Sequence, residues 1–201
     1  MRRATQEIIL VRHGETEANR AGRLLGRSDP PLTDTGERQA QAVADALVSC
    51  RAAVVLTSPL RRASTTADRI AEVLGVPAQV DERLVELDYG EWEGLGFAEL
   101  PDGVARRWRD DPGLTPPGGE SLRAVRARVG GLCDELLAQE GGGTVIAVSH
   151  VSPIKAAVSW ALDAGDECSW RMRLDVASVT RIAASPAGPV LLGFNDSTHL
   201  A

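Results

Sequence analysis

Apolar runs of strand length alternate with helix-period segments almost to the end of this chain, and that alternation narrows the fold more than any other feature. Ile8 to Arg12, Ala53 to Thr57, Thr144 to Ser149, Val176 to Ala183 and Val190 to Phe194 read as strands. A helix is expected from about Thr35, with Ala40, Val43, Ala44, Leu47 and Val48 on one face. A second starts at Ser58, read as an N-cap with Pro59 in the first helical position, and carries Leu60, Ala63, Ala67, Ile70, Ala71 and Leu74 before Gly75 ends it. A third recurs by threes and fours through Leu122, Val125, Val129, Leu132, Leu136 and Leu137 and is closed by Gly141, Gly142 and Gly143. Its Arg123, Arg126 and Arg128 read as a solvated face. A fourth spans about Pro153 to Leu162. Strand and helix in this order predict an α/β fold with a parallel sheet.

Composition bounds the rest. With 201 residues and no break in composition, the chain reads as one domain, 1–201. Its 43% hydrophobic and 25% charged residues are those of a soluble protein, and no apolar stretch reaches membrane-spanning length. The basic start Met1-Arg2-Arg3 passes straight into polar residues, so no secretory signal is supported and the cytoplasm is the expected compartment. Cys50, Cys133 and Cys168 are odd in number and widely spaced, which favours reduced thiols over disulfides or zinc ligands. A net charge of -6 argues against a nucleic-acid partner, yet a few local arginines suffice to hold an anionic substrate.

From about Glu86 to Glu120 the periodicity fails and glycine and proline crowd in. Such a long irregular stretch in a compact domain usually covers a site or moves, and Trp92 and Trp108 give it large faces that can anchor it to the body.

The chain has three histidines, and two of them, His13 and His150, close strand-like runs. At the carboxyl ends of parallel strands, where ligands bind in open α/β sheets, His13, Arg62 and His150 should converge. Arg12 beside His13 supplies a planar donor fork for phosphate oxygens, and a neutral imidazole either hydrogen-bonds a phosphoryl group or attacks it. Arg62 would sit in the first turn of its helix, where an anion is favoured, and Asn19 can add a side-chain amide. So many donors around one point suit a phosphoryl group better than a carboxylate. Ser149 and His150 should point to opposite faces of their strand and so cannot form a serine–histidine pair. No Gly-Lys-Ser or Gly-Lys-Thr phosphate loop exists in the chain. The remaining His199 is read as a surface or packing residue.

The motifs Arg12-His13-Gly14-Glu15-Thr16 with Asn19, Ser58-Pro59-Leu60-Arg61-Arg62-Ala63, Leu84-Val85-Glu86, Gly119-Glu120-Ser121 and Val148-Ser149-His150 occur in that order. Together they resemble the histidine phosphatase superfamily, also called phosphoglycerate-mutase-like, over residues 8 to about 155. The resemblance implies a three-layer α/β/α sandwich with a mostly parallel central sheet. It implies that His13 is the nucleophile, that Arg12, Asn19, Arg62 and His150 hold the phosphate, and that Glu86 is the proton donor. No metal and no cofactor are implied. Arginines beside His13 should keep it neutral and nucleophilic. The expected partner is a small-molecule phosphomonoester, and a homodimer is left open.

The segment 86–120 is short compared with that of cofactor-dependent phosphoglycerate mutases, which favours a phosphatase. Val151-Ser152-Pro153-Ile154-Lys155 and Arg173-Leu174-Asp175-Val176-Ala177-Ser178 resemble the branch of α-ribazole phosphatases. Sugar phosphates and glucosyl-phosphoglycerate stay open as substrates. The alternative readings are a cofactor-dependent mutase and, in another class, a catalytically idle relative that binds phospho-ligands or proteins.

Overall fold

The computed structural model describes residues 6–138 and 143–201. In chain order the elements are β1 (Glu7–Arg12), α1 (Glu17–Arg20), α2 (Asp34–Ala46), β2 (Ala52–Thr57), α3 (Arg61–Leu74) and β3 (Ala78–Val80). They continue with α4 (Val104–Asp110), α5 (Leu122–Ala138), β4 (Thr144–Ser149), α6 (Val151–Ala161), β5 (Val179–Ser185) and β6 (Gly188–Asp196). The six strands form one sheet in the order β3-β2-β4-β1-β5-β6. β3, β2, β4 and β1 run parallel, and β5 and β6 are antiparallel to their neighbours. Parallel neighbours need crossover connections, which the intervening helices provide, whereas β5 and β6 are joined by a tight hairpin.

Pleating sorts the core. Ile8 and Leu10 of β1 join Val145 and Ala147 of β4 on one face, where Val125, Val129 and Leu132 of α5 and Ile154 of α6 cover them. Ile9 and Val11 join Ile146 and Val148 on the other, under Val43 and Ala44 of α2 and Ala67 and Ile70 of α3. Both faces of the central strands are therefore buried, which explains runs that are apolar without alternation. Each such aliphatic side chain contributes about 1.5–3 kcal/mol on burial. The result is the expected sandwich of helices, mixed sheet and helices.

Several local expectations need correction. α3 starts at Arg61, not at Pro59, and its N-cap Leu60 makes no side-chain capping bond. The reason is tertiary: the Ser58 N–H donates to Val148 O and prolongs the sheet, so Ser58 and Pro59 stay outside the helix. β5 starts at Val179 because Ala177 adopts a left-handed φ of 51° that no strand tolerates. α6 begins at Val151, directly after His150. β3 and α4 were not expected: β3 is three exposed residues without an apolar pattern, and α4 lies inside the glycine- and proline-rich stretch.

Arg126 and Arg128 are not a solvated face. Arg126 bonds Ala164 O and Asp166, and Arg128 bonds Glu120 and Arg83 O. The closing glycines Gly141 and Gly142 lie outside the described residues. Trp92 and Trp108 are both buried in the core and do anchor the irregular segment. The three thiols are free, and His199 packs its Nε2 against Ala177 O at 3.0 Å. No helix among the described residues is long and apolar enough to cross a membrane.

Candidate active site

Strand register builds the site. Arg12 lies opposite Ser149, and Thr57 lies opposite Val148, so β1, β4 and β2 end almost level. The next residue of each strand is His13, His150 or Ser58. Their backbones extend the ladder by another rung, with His13 N–H donating to Ser149 O and Ser58 N–H to Val148 O, each at 3.1 Å. The two imidazoles meet with ring centroids 5.0 Å apart. Close backbone contact seats this loop: a Cβ on Gly14 would collide with the Gly36 carbonyl at the start of α2. The Gly14 N–H donates to Thr66 Oγ1 of α3 at 3.2 Å.

His13 is buried, and its Nδ1 lies 2.6 Å from Gly14 O. A carbonyl oxygen only accepts, so Nδ1 carries the proton and Nε2 keeps its lone pair. Burial first, then the charges of Arg12 and Arg62, hold the pKa of His13 well below the usual histidine value. His150 has the opposite tautomer. Arg62 Nε–H donates to its Nδ1 at 3.2 Å, which leaves Nε2–H to donate to Ser58 Oγ at 2.8 Å. Burial, then His13 and the arginines, push its pKa down as well.

Both rings therefore stay neutral in the folded protein while the unfolded chain takes up protons below about pH 6.5. The unfolded state then binds more protons, so stability falls as pH falls. Each histidine is expected to contribute a loss of up to about 1.4 kcal/mol per pH unit below about pH 6. Urea unfolding at pH 7.5 and pH 5 should show this, and His150→Gln should reduce the difference; an unchanged difference would mean that His150 titrates normally.

Arg12 Nη1 donates to Leu174 O at 2.6 Å, while its Nε is buried without a partner. Burial lowers its pKa to about 10, with the charge of Glu86 opposing. A buried unpartnered donor costs about 1–3 kcal/mol.

Arg62, fully buried, does more than was expected of it. Beyond His150, its Nη1 donates to Ser28 O and its Nη2 to Gly26 O, each at 2.7 Å, which clamps the segment after α1 against α3. The guanidinium thus makes four hydrogen bonds within the protein, the longest from Nη2 to Leu25 O at 3.5 Å. Arg62→Lys should lower kcat/KM on the order of tenfold to a hundredfold and lower the melting temperature, because an ammonium cannot span these acceptors. Arg61→Lys is the control, since the exposed Arg61 is held by its backbone N–H to Asp29 at 2.7 Å. Equal activity of both variants would remove Arg62 from the site.

Asn19 closes a capping box: its Oδ1 accepts from Thr16 N–H at 3.1 Å, so the amide NH₂ is the end left for another acceptor. Glu86 is also buried, 3% exposed. Its Oε1 accepts from Leu87 N–H at 2.8 Å and Ser152 N–H at 3.1 Å, and its Oε2 from Val151 N–H at 3.0 Å. The carboxylate thus caps α6, whose N-terminus favours negative charge, next to His150.

Ser58, Thr66, Ser152 and Arg128 were missed as site residues. Ser58 had been read as a helix cap, and Arg128, whose Nη2 reaches Glu86 O at 3.4 Å, as a surface residue. Thr66 and Ser152 stand in stretches that carry the family resemblance, Thr66-Ala67 after the Arg62 motif and Val151-Ser152 after His150, but the resemblance gave neither a role. Among the described residues no three histidine, cysteine, aspartate or glutamate side chains cluster as a metal site.

Residues 8–197 match the model of the histidine phosphatase superfamily (branch 1). The chain is 44% identical over 177 residues to a bifunctional protein of Mycobacterium tuberculosis, with 86% of this chain and 49% of that protein covered. It therefore spans about half the length of that relative. Over 96% of its length, and 94% of the other's, it is 34% identical to phosphoserine phosphatase 1 of Hydrogenobacter thermophilus. It superposes on the mycobacterial glucosyl-3-phosphoglycerate phosphatase complexed with VO3 with a TM-score of 0.88 and 31% identity, covering 96% of this chain and 100% of that one. With paired strand-end histidines, a shared arginine and this span of similarity, the chain belongs to the histidine phosphatase superfamily.

Proposed function

We propose that the protein is a metal-independent phosphomonoesterase working through a phosphohistidine on His13. The observation that carries this reading is the His13 tautomer: Nδ1–H is tied to Gly14 O, so the Nε2 lone pair is free, in the field of the Arg12 and Arg62 charges. Arg12 and Arg62 place two guanidiniums in the buried site; Glu86 is the carboxylate that acts most strongly on each, ahead of Asp175 at Arg12 and of Asp29 and Glu93 at Arg62. Paired fixed positive charges suit a phosphate dianion.

Nε2 attacks phosphorus, the ester P–O bond breaks, and Glu86 delivers a proton to the departing alkoxide. In the second half Glu86, now a carboxylate, takes a proton from the water that attacks phosphohistidine, and His13 is regenerated. To carry the proton, Glu86 must give up part of its helix cap. Oε2, with Val151 N–H as its one close donor, is the oxygen that gives up least.

The similarity to enzymes named for phosphoserine and glucosyl-3-phosphoglycerate supports a small metabolite ester, and α-ribazole 5'-phosphate and sugar phosphates stand beside these as candidates. Free thiols fit the reducing cytoplasm. Hydrolysis of p-nitrophenyl phosphate that is unaffected by EDTA is the expected result. Loss of activity on chelation would overturn the metal-free reading, and no activity at all would favour an idle binding relative.

A further inference from the structure

A cavity of about 220 Å³ opens beside Glu86, with walls that include Tyr89, Phe97, Trp108, Ser152, Lys155 and Trp170. Its link to the reaction centre is short. Ser152, in the cavity wall, donates its N–H to the Glu86 carboxylate, and Val151, also in the wall, does the same. A leaving group whose oxygen receives the proton of Glu86 therefore has this cavity as its neighbouring space.

The wall is rich in aromatic side chains. Trp108 and Trp170 pack edge to face at 5.0 Å, and Phe97 and Tyr89 join them. Among these faces stands the amine of Lys155, the only lysine in the chain, whose pKa burial lowers while the charge of Glu86 opposes the shift. A hydroxyl-rich sugar would leave its polar groups unpaired against the rings, whereas a flat apolar body with one anionic acceptor suits both the rings and the amine.

We propose that this cavity is the leaving-group subsite and that it takes an aromatic alcohol bearing a carboxylate, its ring among the aromatic side chains of the wall and its carboxylate toward Lys155. The assignment rests on the phosphatase reading above and narrows it to a substrate class.

The test compares kcat/KM for 4-carboxybenzyl phosphate, benzyl phosphate and glucose 6-phosphate. The carboxylated ester should exceed benzyl phosphate by about tenfold, with glucose 6-phosphate lowest. Lys155→Met should bring the ratio of carboxybenzyl to benzyl phosphate toward one, mainly through KM, and Lys155→Arg, which keeps the charge, should retain it. Calorimetry with 4-(hydroxymethyl)benzoate in the presence of orthovanadate reads the cavity without turnover, and Lys155→Met should abolish that binding. Hydrolysis of all three esters at equal efficiency, or an unchanged ratio in Lys155→Met, would overturn the subsite and leave the phosphatase reading standing. If wild type hydrolyses none of them, the phosphatase reading fails, and calorimetry decides the cavity alone: binding sensitive to Lys155→Met upholds it, and absence of binding overturns it.

Discussion

His13→Ala is expected to abolish phosphatase turnover, by on the order of 10⁴-fold or more, while the protein stays folded. The second imidazole cannot take its place, because both ring nitrogens of His150 are engaged, one with Arg62 and one with Ser58. The fold should tolerate the change. The ring is a buried polar group, its loss leaves a small void at the rim of the sheet, and a stability change within about 1–2 kcal/mol follows. Thermal melts followed by circular dichroism check the fold. Acid labile, base-stable label on rapidly quenched wild-type protein, absent from the variant, checks the intermediate. Turnover near the wild-type rate in a folded variant would remove His13 as nucleophile.

Glu86→Gln should be nearly as damaging, and unequally so across substrates. General-acid assistance contributes about a hundredfold to ten-thousandfold and matters most for poor leaving groups, so alkyl phosphates should lose more than p-nitrophenyl phosphate. The structure adds a second effect. An amide NH₂ in place of Oε2 would face the Val151 N–H, donor against donor, and cost about 1–3 kcal/mol of stability. Glu86→Asp separates the two effects, since it keeps the charge but shortens the reach. Phosphohistidine should accumulate in Glu86→Gln if attack by water becomes limiting. Equal losses on both substrates without accumulation would shift the proton donor elsewhere, with Glu15, Asp88, Glu91 and Glu93 to be tried next.

The layers were legible because β1 and β4 are buried on both faces and α2, α3 and α5 each turn an apolar stripe inward, both of which leave periodic traces in the chain. Strand ends were legible too, so the meeting of His13 with His150 followed from topology. What escaped depends on tertiary bonds without a local trace. Ser58 before Pro59 is a sound capping signal, yet the serine hydroxyl is taken by His150 and the helix starts later. Glu86 as the cap of α6 joins residues far apart in sequence, and no spacing rule reaches that distance. Arg128 has the spacing of a surface residue, but its guanidinium ties Glu120 to the segment that bears Glu86. β3 is too short to show a period, and Gly103 and Pro101 masked the α4 pattern.

The place of β1 in the sheet has a consequence for how the protein is made. Of the six strands of the sheet it is the first to be synthesised, yet it sits between β4 and β5, the fourth and fifth in chain order. Until residues 144–149 and 179–183 have been synthesised, Ile8-Ile9-Leu10-Val11 has no lateral partner, a sticky ribbon whose edges are open to any passing strand. Closure over so long a stretch of chain also makes folding slow relative to a protein built from local contacts. Nascent chains halted before β4 should therefore have no phosphatase activity and depend on holdase chaperones, however complete the helices already formed.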